Sequence, residues 1–270
     1  MRVSIHGIGL LAPGLCGWPE SQTVLLGKGI YDRVAVPDPI PSILQPNELR
    51  RSSEVVRWSL RVAEEAMLQA QIKAEEVSTV FASSGGETTI LHKICLALST
   101  TERAISPTLF HHSVHNAAAG YWSIGVRSQQ PSFSLSCYDS SFCGGLLEAA
   151  TLIRSRQAPV LLVAYDLPPP PPLFAARPLS GPFAVAFVMG PVPIAQSFSI
   201  LTIRILDQGR DSVTTMQDPA LEKLRAGNPA ARALPLLTAL AAGTKTTVSL
   251  NYLDDALMNV EITPCQPCPN

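Results

Sequence analysis

Charge is scarce in this chain and nearly cancels. Of 270 residues 15% are charged, with 20 Lys and Arg against 21 Asp and Glu, a net charge of −1. Such a balance creates no global field to draw nucleic acid or an anionic membrane, so neither is expected as a partner. No stretch reaches the roughly 18–20 continuous apolar residues that span a bilayer. The opening MRVSIHGIGLLAPGLCG is punctuated by Gly and Pro where a signal peptide has an unbroken apolar helix, so it reads as a first strand, and a cytoplasmic location is expected. Histidine is missing from the whole second half, the last of the five being His115. The six cysteines (16, 95, 137, 143, 265, 268) form no disulfide framework in a chain too long to need staples. Cys265-Gln-Pro-Cys268 lacks the second ligand pair of a zinc ribbon, and no metal or other cofactor is expected.

Hydrophobic residues make up 46% of the chain, enough for one large domain or two poorly separable halves. Residues 2–11 alternate toward a buried strand. Pro37 to Pro46 impose a loop, and Ser52 and Ser53 offer N-caps to a long helix striped by Val55, Val56, Leu60, Ala63, Met67 and Ala70. A β-branched strand at 77–83 leads through Ser84-Gly85-Gly86 into a helix over 88–98. There Leu91, Ile94, Cys95 and Leu98 form an apolar stripe that places Cys95 in the core. Strand, turn and helix recur at 132–153, and Pro159–Tyr165 adds a further strand, which predicts a mostly parallel mixed sheet covered by helices. Pro168–Pro172 impose an extended surface excursion before the apolar run Phe183–Met189. Strands near Ser199–Leu206, Thr246–Leu250 and Leu257–Ile262, with a short helix between Pro235 and Gly243, complete the chain. Tyr252-Leu253-Asp254-Asp255 joins the last two strands as a hairpin.

The most informative segment is SFSLSCYDSSFCGGLLEAATLI (132–153), in which a small-residue strand passes through a tight turn into a helix. A helix N-terminus of this kind favours a thiolate, but the residue at the turn is Asp139. The segment resembles the nucleophile unit of thiolase-fold ketosynthases. Aligning the family-like pattern on Glu148, Ala149, Ala150, Leu152 and Ile153 puts the nucleophile position at Asp139, and Cys137 and Cys143 both miss it. VSIHGIGLLAP (3–13) resembles the family's first strand and glycine turn, SSEVVRWSLRVAEEAM (52–67) its early helix, and FASSGGETT (81–89) its next glycine turn. SPTLFHHSVHNAAAGYWSIG (106–125) resembles the segment beside the nucleophile at the dimer interface. Together these cover roughly residues 1–190 and look most like the short ketosynthase-like proteins of aryl polyene and pigment pathways. The resemblance implies an abbreviated α/β thiolase-like fold, with residues 1–190 as a ketosynthase-like half and 191–270 as shortened strands and a helix completing the same domain.

Where the chain departs from the family, catalysis is put in doubt. A condensing enzyme of this family needs a thiolate and, in the decarboxylating branch, two histidines or a His and an Asn in its second half; here the histidines end at His115. Asp139 has two readings. It is a favoured N-cap for the following helix, or it stands where chain-length-factor subunits of type II polyketide systems carry an acidic or amide residue instead of cysteine. Cys143, one helical turn beyond, reads as a small buried residue beside Gly144 and Gly145, or as a relocated nucleophile served by His111, His112 or His115. Cys137 continues the strand face of Phe133 and Leu135 and reads as core.

His111, His112, His115 and Asn116 lack a third metal ligand nearby. The resemblance assigns them, with Tyr121 and Trp122, to shaping a substrate tunnel at a subunit interface; structural histidines and core aromatics are the plainer reading. Arg50, Arg51, Arg57 and Arg61 form the densest basic cluster. Arg57 and Arg61 are the docking candidates for an acidic acyl carrier protein, against an ordinary solvated helix face. The expectation is a noncatalytic chain-length-factor-type subunit pairing with an active ketosynthase as a heterodimer in a type II fatty acid or polyene pathway, with a homodimer as a further possibility. The alternatives are a free-standing condensing enzyme or acyltransferase using Cys143 or Cys137, and a protein that binds carrier proteins or pathway enzymes without affecting chain length.

Overall fold

β1 (Arg2–Ala12) threads the middle of the molecule and is buried on both faces from Val3 onward. The computed structural model describes residues 1–195, 197–207 and 212–265. β2 (Leu15–Cys16) folds back on β1, and α1 (Trp18–Leu25), α2 (Pro46–Arg51) and α3 (Glu54–Ala70) follow. Ser53 caps α3, its hydroxyl accepting the Val56 N–H at 3.1 Å, and all six members of the expected stripe are buried. The next elements are β3 (Ser78–Ala82), α4 (Thr88–Ser99), α5 (Pro107–His112), α6 (Ala117–Gly125), β4 (Ser132–Leu135) and α7 (Ser141–Arg156). β5 (Val160–Asp166), α8 (Leu173–Ala176), β6 (Phe183–Gly190) and β7 (Ser199–Asp207) lead to α9 (Pro219–Ala226), α10 (Leu234–Ala242) and the hairpin of β8 (Thr246–Asn251) and β9 (Ala256–Pro264).

The strands form one mixed sheet in the order β4-β3-β5-β6-β1-β7-β9-β8, with β2 beside β1. Helices cover both faces, but the parallel share is smaller than the strand–helix alternation suggests. Among the described residues only β4-β3-β5 pair in parallel, and the other pairs are antiparallel. Two connections explain this: β5 returns through the proline run and the short α8, and β8 meets β9 through a tight turn. The β8–β9 turn has no room for the helical crossover that a parallel neighbour needs, and the longer β5–β6 connection carries only the four-residue α8 in place of a crossover helix. The proline run is extended only to Pro170. Pro171 and Pro172 turn, and Pro172 is the N-cap of α8, with Phe174 N–H donating to Pro170 O at 3.1 Å.

Alternation sorts the sheet into two cores. Phe183, Val185, Phe187 and Met189 of β6 face α7 and α10, while Ala184, Ala186 and Val188 join the α3 and α6 side. The α3 face is built for close approach. A Cβ at Gly7 would lie 2.0 Å from Ala66 O, and one at Gly9 2.0 Å from Val62 O. These glycines sit within β1 and admit the α3 backbone, whereas the turn itself falls at Gly14, whose φ is +78.

The β4 edge departs from expectation. Cys95 is exposed, as are Leu91 (49%), Leu96 (53%) and Leu98 (46%), because α4 lies beyond the sheet with α5 as its main neighbour. Cys137 and Phe133 are likewise exposed rather than core, since β4 is the edge strand of the sheet and α7 covers its inner face only in part. No helix among the described residues is long and apolar enough to cross a membrane.

Candidate functional site at the β4–α7 turn

Between β4 and α7 the chain makes a turn that a serine stitches together. Ser141 Oγ accepts the Cys137 N–H at 3.0 Å and donates to Tyr138 O at 2.7 Å. Tyr138 occupies the left-handed region (φ +50), unusual for an aromatic residue. Residues Tyr138–Ser140 form a 3-10 turn that runs straight into α7. Gly144 and Gly145 let α7 settle onto the strands: a Cβ at Gly144 would be 2.6 Å from Cys137 Sγ, and one at Gly145 2.8 Å from Ala82 Cβ.

Asp139 does not cap the helix. The N-cap of α7 is Ser140, which makes no side-chain cap bond, and the Asp139 carboxylate is instead held by two guanidinium groups. Oδ1 accepts from Arg177 Nη2, and Oδ2 accepts from Arg232 Nη2 at 3.2 Å. Two full charges outcompete weak helix N–H donors for the same oxygens. Arg177 also donates to Ser84 Oγ at 2.9 Å, and its guanidinium covers the Tyr138 ring. Burial pulls the Arg232 pKa down from its usual value, an effect the Asp139 carboxylate opposes.

Behind this cluster lies a buried acid. Asp166 Oδ1 accepts the Ser83 hydroxyl (3.0 Å), Ser84 N–H (2.8 Å) and Gly85 N–H (3.2 Å), while Oδ2 has no partner. Desolvation pushes its pKa up to about 7, against the pull of those bonds. Asn228 braces the same corner from the C-terminal part of the chain. Its Nδ2 donates to Asp166 O (3.0 Å) and Gly181 O (2.8 Å), while Oδ1 accepts from Ala230 and Ala231 N–H. Leu253, at the tip of the β8–β9 hairpin, donates its N–H to Ser140 Oγ at 3.2 Å.

Cys143 belongs to the core and has no exposed surface; desolvation pushes its thiol up to about 12. The histidines are engaged elsewhere. His112 Nε2 meets Tyr121 OH at 3.0 Å, and His115 Nε2 meets Leu135 O at 3.1 Å, its ring lying against Gly86. Burial, then the neighbouring His111, lowers the His112 pKa. His111, His112, Asn116 and Tyr121 do come together, lining a cavity of about 810 Å³ with Phe110 and Ile124. Trp122 is separate from them and is buried against α3, with its indole N–H unpartnered. Arg57 is ion-paired to Asp38 at 3.0 Å and donates to Ser52 O at 2.7 Å, while Arg61 is exposed beside Glu65. Among the described residues no group of three or more His, Cys, Asp and Glu side chains could hold a metal; Cys268 lies outside the described residues.

Arg177 and Arg232, the groups that define the site, carry no local motif. Arg177 follows the proline run and Arg232 lies in an alanine-rich turn, so only the fold brings them to Asp139. The one sequence signal was indirect: each is a cation in an otherwise uncharged stretch, where a buried charge needs a partner.

No curated protein sequence matches the chain significantly. Among solved structures, it is similar to a chain of the complex of the ketosynthase ApeO with its chain length factor ApeC from Xenorhabdus doucetiae. The match has a TM-score of 0.72 and 24% identity and covers 97% of this chain and 99% of that one. It is also similar to the ishigamide ketosynthase/chain length factor (TM-score 0.75, 13% identity, 98% and 100% covered). A third match is a β-ketoacyl synthase from Burkholderia phymatum STM815 (TM-score 0.67, 12% identity, 98% and 100% covered). These likenesses establish the thiolase-like ketosynthase fold and extend past residue 190 into the C-terminal strands. The family model described as β-ketoacyl synthase, N-terminal domain, matches residues 34–252, and the chain therefore belongs to that family.

Proposed function

We propose that this protein is a noncatalytic, chain-length-factor-type subunit that pairs with an active ketosynthase in a type II polyketide or polyene pathway. The observation carrying the reading is the occupant of the nucleophile position. Asp139 is neutralised by Arg177 and Arg232, leaving no thiolate there to take an acyl chain. Cys143 is no substitute, because a buried thiol with its pKa near 12 is almost wholly protonated at neutral pH.

The surface supports a partnered state. β4 is an open sheet edge, and the apolar side chains of α4, with Phe110, Val114 and Phe133, stand exposed along the same side. An edge strand flanked by exposed Leu and Phe is normally covered by another chain. The cavity lined by His111, His112, Asn116 and Tyr121 opens beside Phe110 and Ile124, where it would join the tunnel of a mate and set how far an acyl chain extends. An acidic carrier protein docking on this subunit would use Arg61, since Arg57 is taken by Asp38.

The test is co-expression with the ketosynthase of the same pathway, followed by product analysis with and without this chain. A stable heterodimer whose product length depends on this subunit supports the reading. Acyl-thioester loading of the isolated wild-type chain overturns it and moves the function to a condensing enzyme.

A further inference from the structure

Two buried acids close on one glycine turn. Residues 83–87 carry the chain from β3 into α4, and Gly86 among them takes the left-handed conformation, with φ +57. At one end Asp166 holds the turn through the Ser83 hydroxyl and the Ser84 and Gly85 N–H groups. At the other, Glu87 is the N-cap residue of α4, and its Oε1 accepts the hydroxyl of Ser53, which itself caps α3. Past the turn α4 has α5 as its main neighbour, so these bonds fix where α4 leaves the sheet.

Among the described residues neither acid forms an ion pair. Arg177, the cation that acts on Asp166, is bound to Asp139 and Ser84, and Arg57, which acts on Glu87, is bound to Asp38. One oxygen of each carboxylate, Asp166 Oδ2 and Glu87 Oε2, is buried without a hydrogen-bond partner. Burial pushes both acids up to about 7, and Tyr165 lies within reach of both charges, so the two carboxylates share one dry neighbourhood. Tyr121 on α6 also faces Glu87, and the His115 ring lies against Gly86. We propose that residues 83–87 form a pH-sensitive hinge, closed while Asp166 and Glu87 hold protons and opened when ionisation draws the carboxylates into water, which frees α4 with its exposed Leu91, Leu96 and Leu98. In the open turn each acid returns toward its ordinary value of 3.8 or 4.5, so opening becomes easier as pH rises from there and levels off above about 7. The hinge belongs to this chain alone and does not depend on the function proposed above.

The test is amide hydrogen exchange on the full chain at pH 5 and pH 8, with each rate divided by the intrinsic rate at that pH. Protection across residues 83–99 should fall about tenfold or more between the two. At pH 8 it should depend little on dilute urea while that of β6 falls steeply, which separates local opening from global unfolding. The fall with pH should shrink in Asp166→Asn and in Glu87→Gln, vanish in the double variant, and persist in His115→Gln. Protection that stays constant from pH 5 to pH 8, a urea dependence equal to that of β6, or a full fall in the double variant would overturn the hinge. So would a fall lost in His115→Gln, which would assign the titration to the histidine. If Asp166→Asn does not fold, Glu87→Gln decides alone, and an undiminished fall there overturns the proposal.

Discussion

The guanidinium carbon of Arg177 lies 3.9 Å from the centre of the Tyr138 ring, the residue immediately before Asp139. The ring covers one face of the cation while Asp139 and Ser84 take its N–H groups, so the arginine is fixed by three different contacts. Stacking of this kind on an aromatic face adds about 0.5–2 kcal/mol to the hold on a cation.

Asp139→Ala leaves Arg177 and Arg232, which already oppose each other electrostatically, without their shared counter-ion. Urea denaturation should show a loss of about 1 kcal/mol, kept modest because the Asp139 side chain is 38% exposed. Sodium malonate should restore more of the lost stability than sodium chloride at equal ionic strength. Equal recovery in the two salts would mean that the guanidinium pair does not recognise a carboxylate.

Asp139→Cys places a thiol between two guanidinium groups at the start of α7, conditions that lower a thiol pKa below its free value of about 8.5. Iodoacetamide at pH 6.5 should therefore label this thiol faster than the exposed Cys137, with Cys143 unlabelled until denaturant is added. Native labelling of Cys143 at the rate of Cys137, read by peptide mass mapping, would contradict its burial.

Asp166 and Glu87 both give the folded state a pH dependence. Their pKa values are pushed up to about 7 by desolvation, from ordinary values of 3.8 and 4.5. Between pH 4 and 7 the folded state thus holds protons that the unfolded chain has released, so this part of the stability is present in acid and lost as pH rises through about 7. Asp166→Asn keeps an acceptor for the Ser83, Ser84 and Gly85 donors and removes the charge. The melting-temperature difference between variant and wild type should move in the variant's favour from pH 5 to pH 8; a constant difference would show that Asp166 does not titrate in this window.

Leu96 is 53% exposed on α4. Leu96→Glu should leave the stability of the isolated chain within about 0.5 kcal/mol and prevent co-purification with the mate ketosynthase. Undiminished pairing would place the interface elsewhere.

Helices with one-sided apolar spacing were legible in the sequence, as α3 shows, and so were strands buried on both faces, such as β5 and β6. Both patterns are local and depend on a core within the same chain. The same logic misplaced Cys95 and Cys137, because an apolar stripe turned toward the surface has the same spacing as one turned toward the core. At the site, the β4–α7 turn and Asp139 could be read from consecutive residues. The role of Asp139 could not: its partners lie 38 and 93 residues away, and their approach depends on where β5 ends and how α10 is placed. Glycine spacing showed a comparable ambiguity, since Gly7 and Gly9 admit a helix backbone where a turn was the simpler reading.

The two ends of the sheet are unequal. At the β8 end, Thr214 N–H donates to Ser249 O at 2.8 Å and its hydroxyl accepts the Ser249 N–H at 2.9 Å, so a neighbouring segment blunts that margin. Among the described residues β4 has no such cover. Growth by strand pairing can proceed from one margin only, and two chains joined there leave no equivalent margin free. Two chains paired through β4 would thus form a closed pair and not an open-ended fibre.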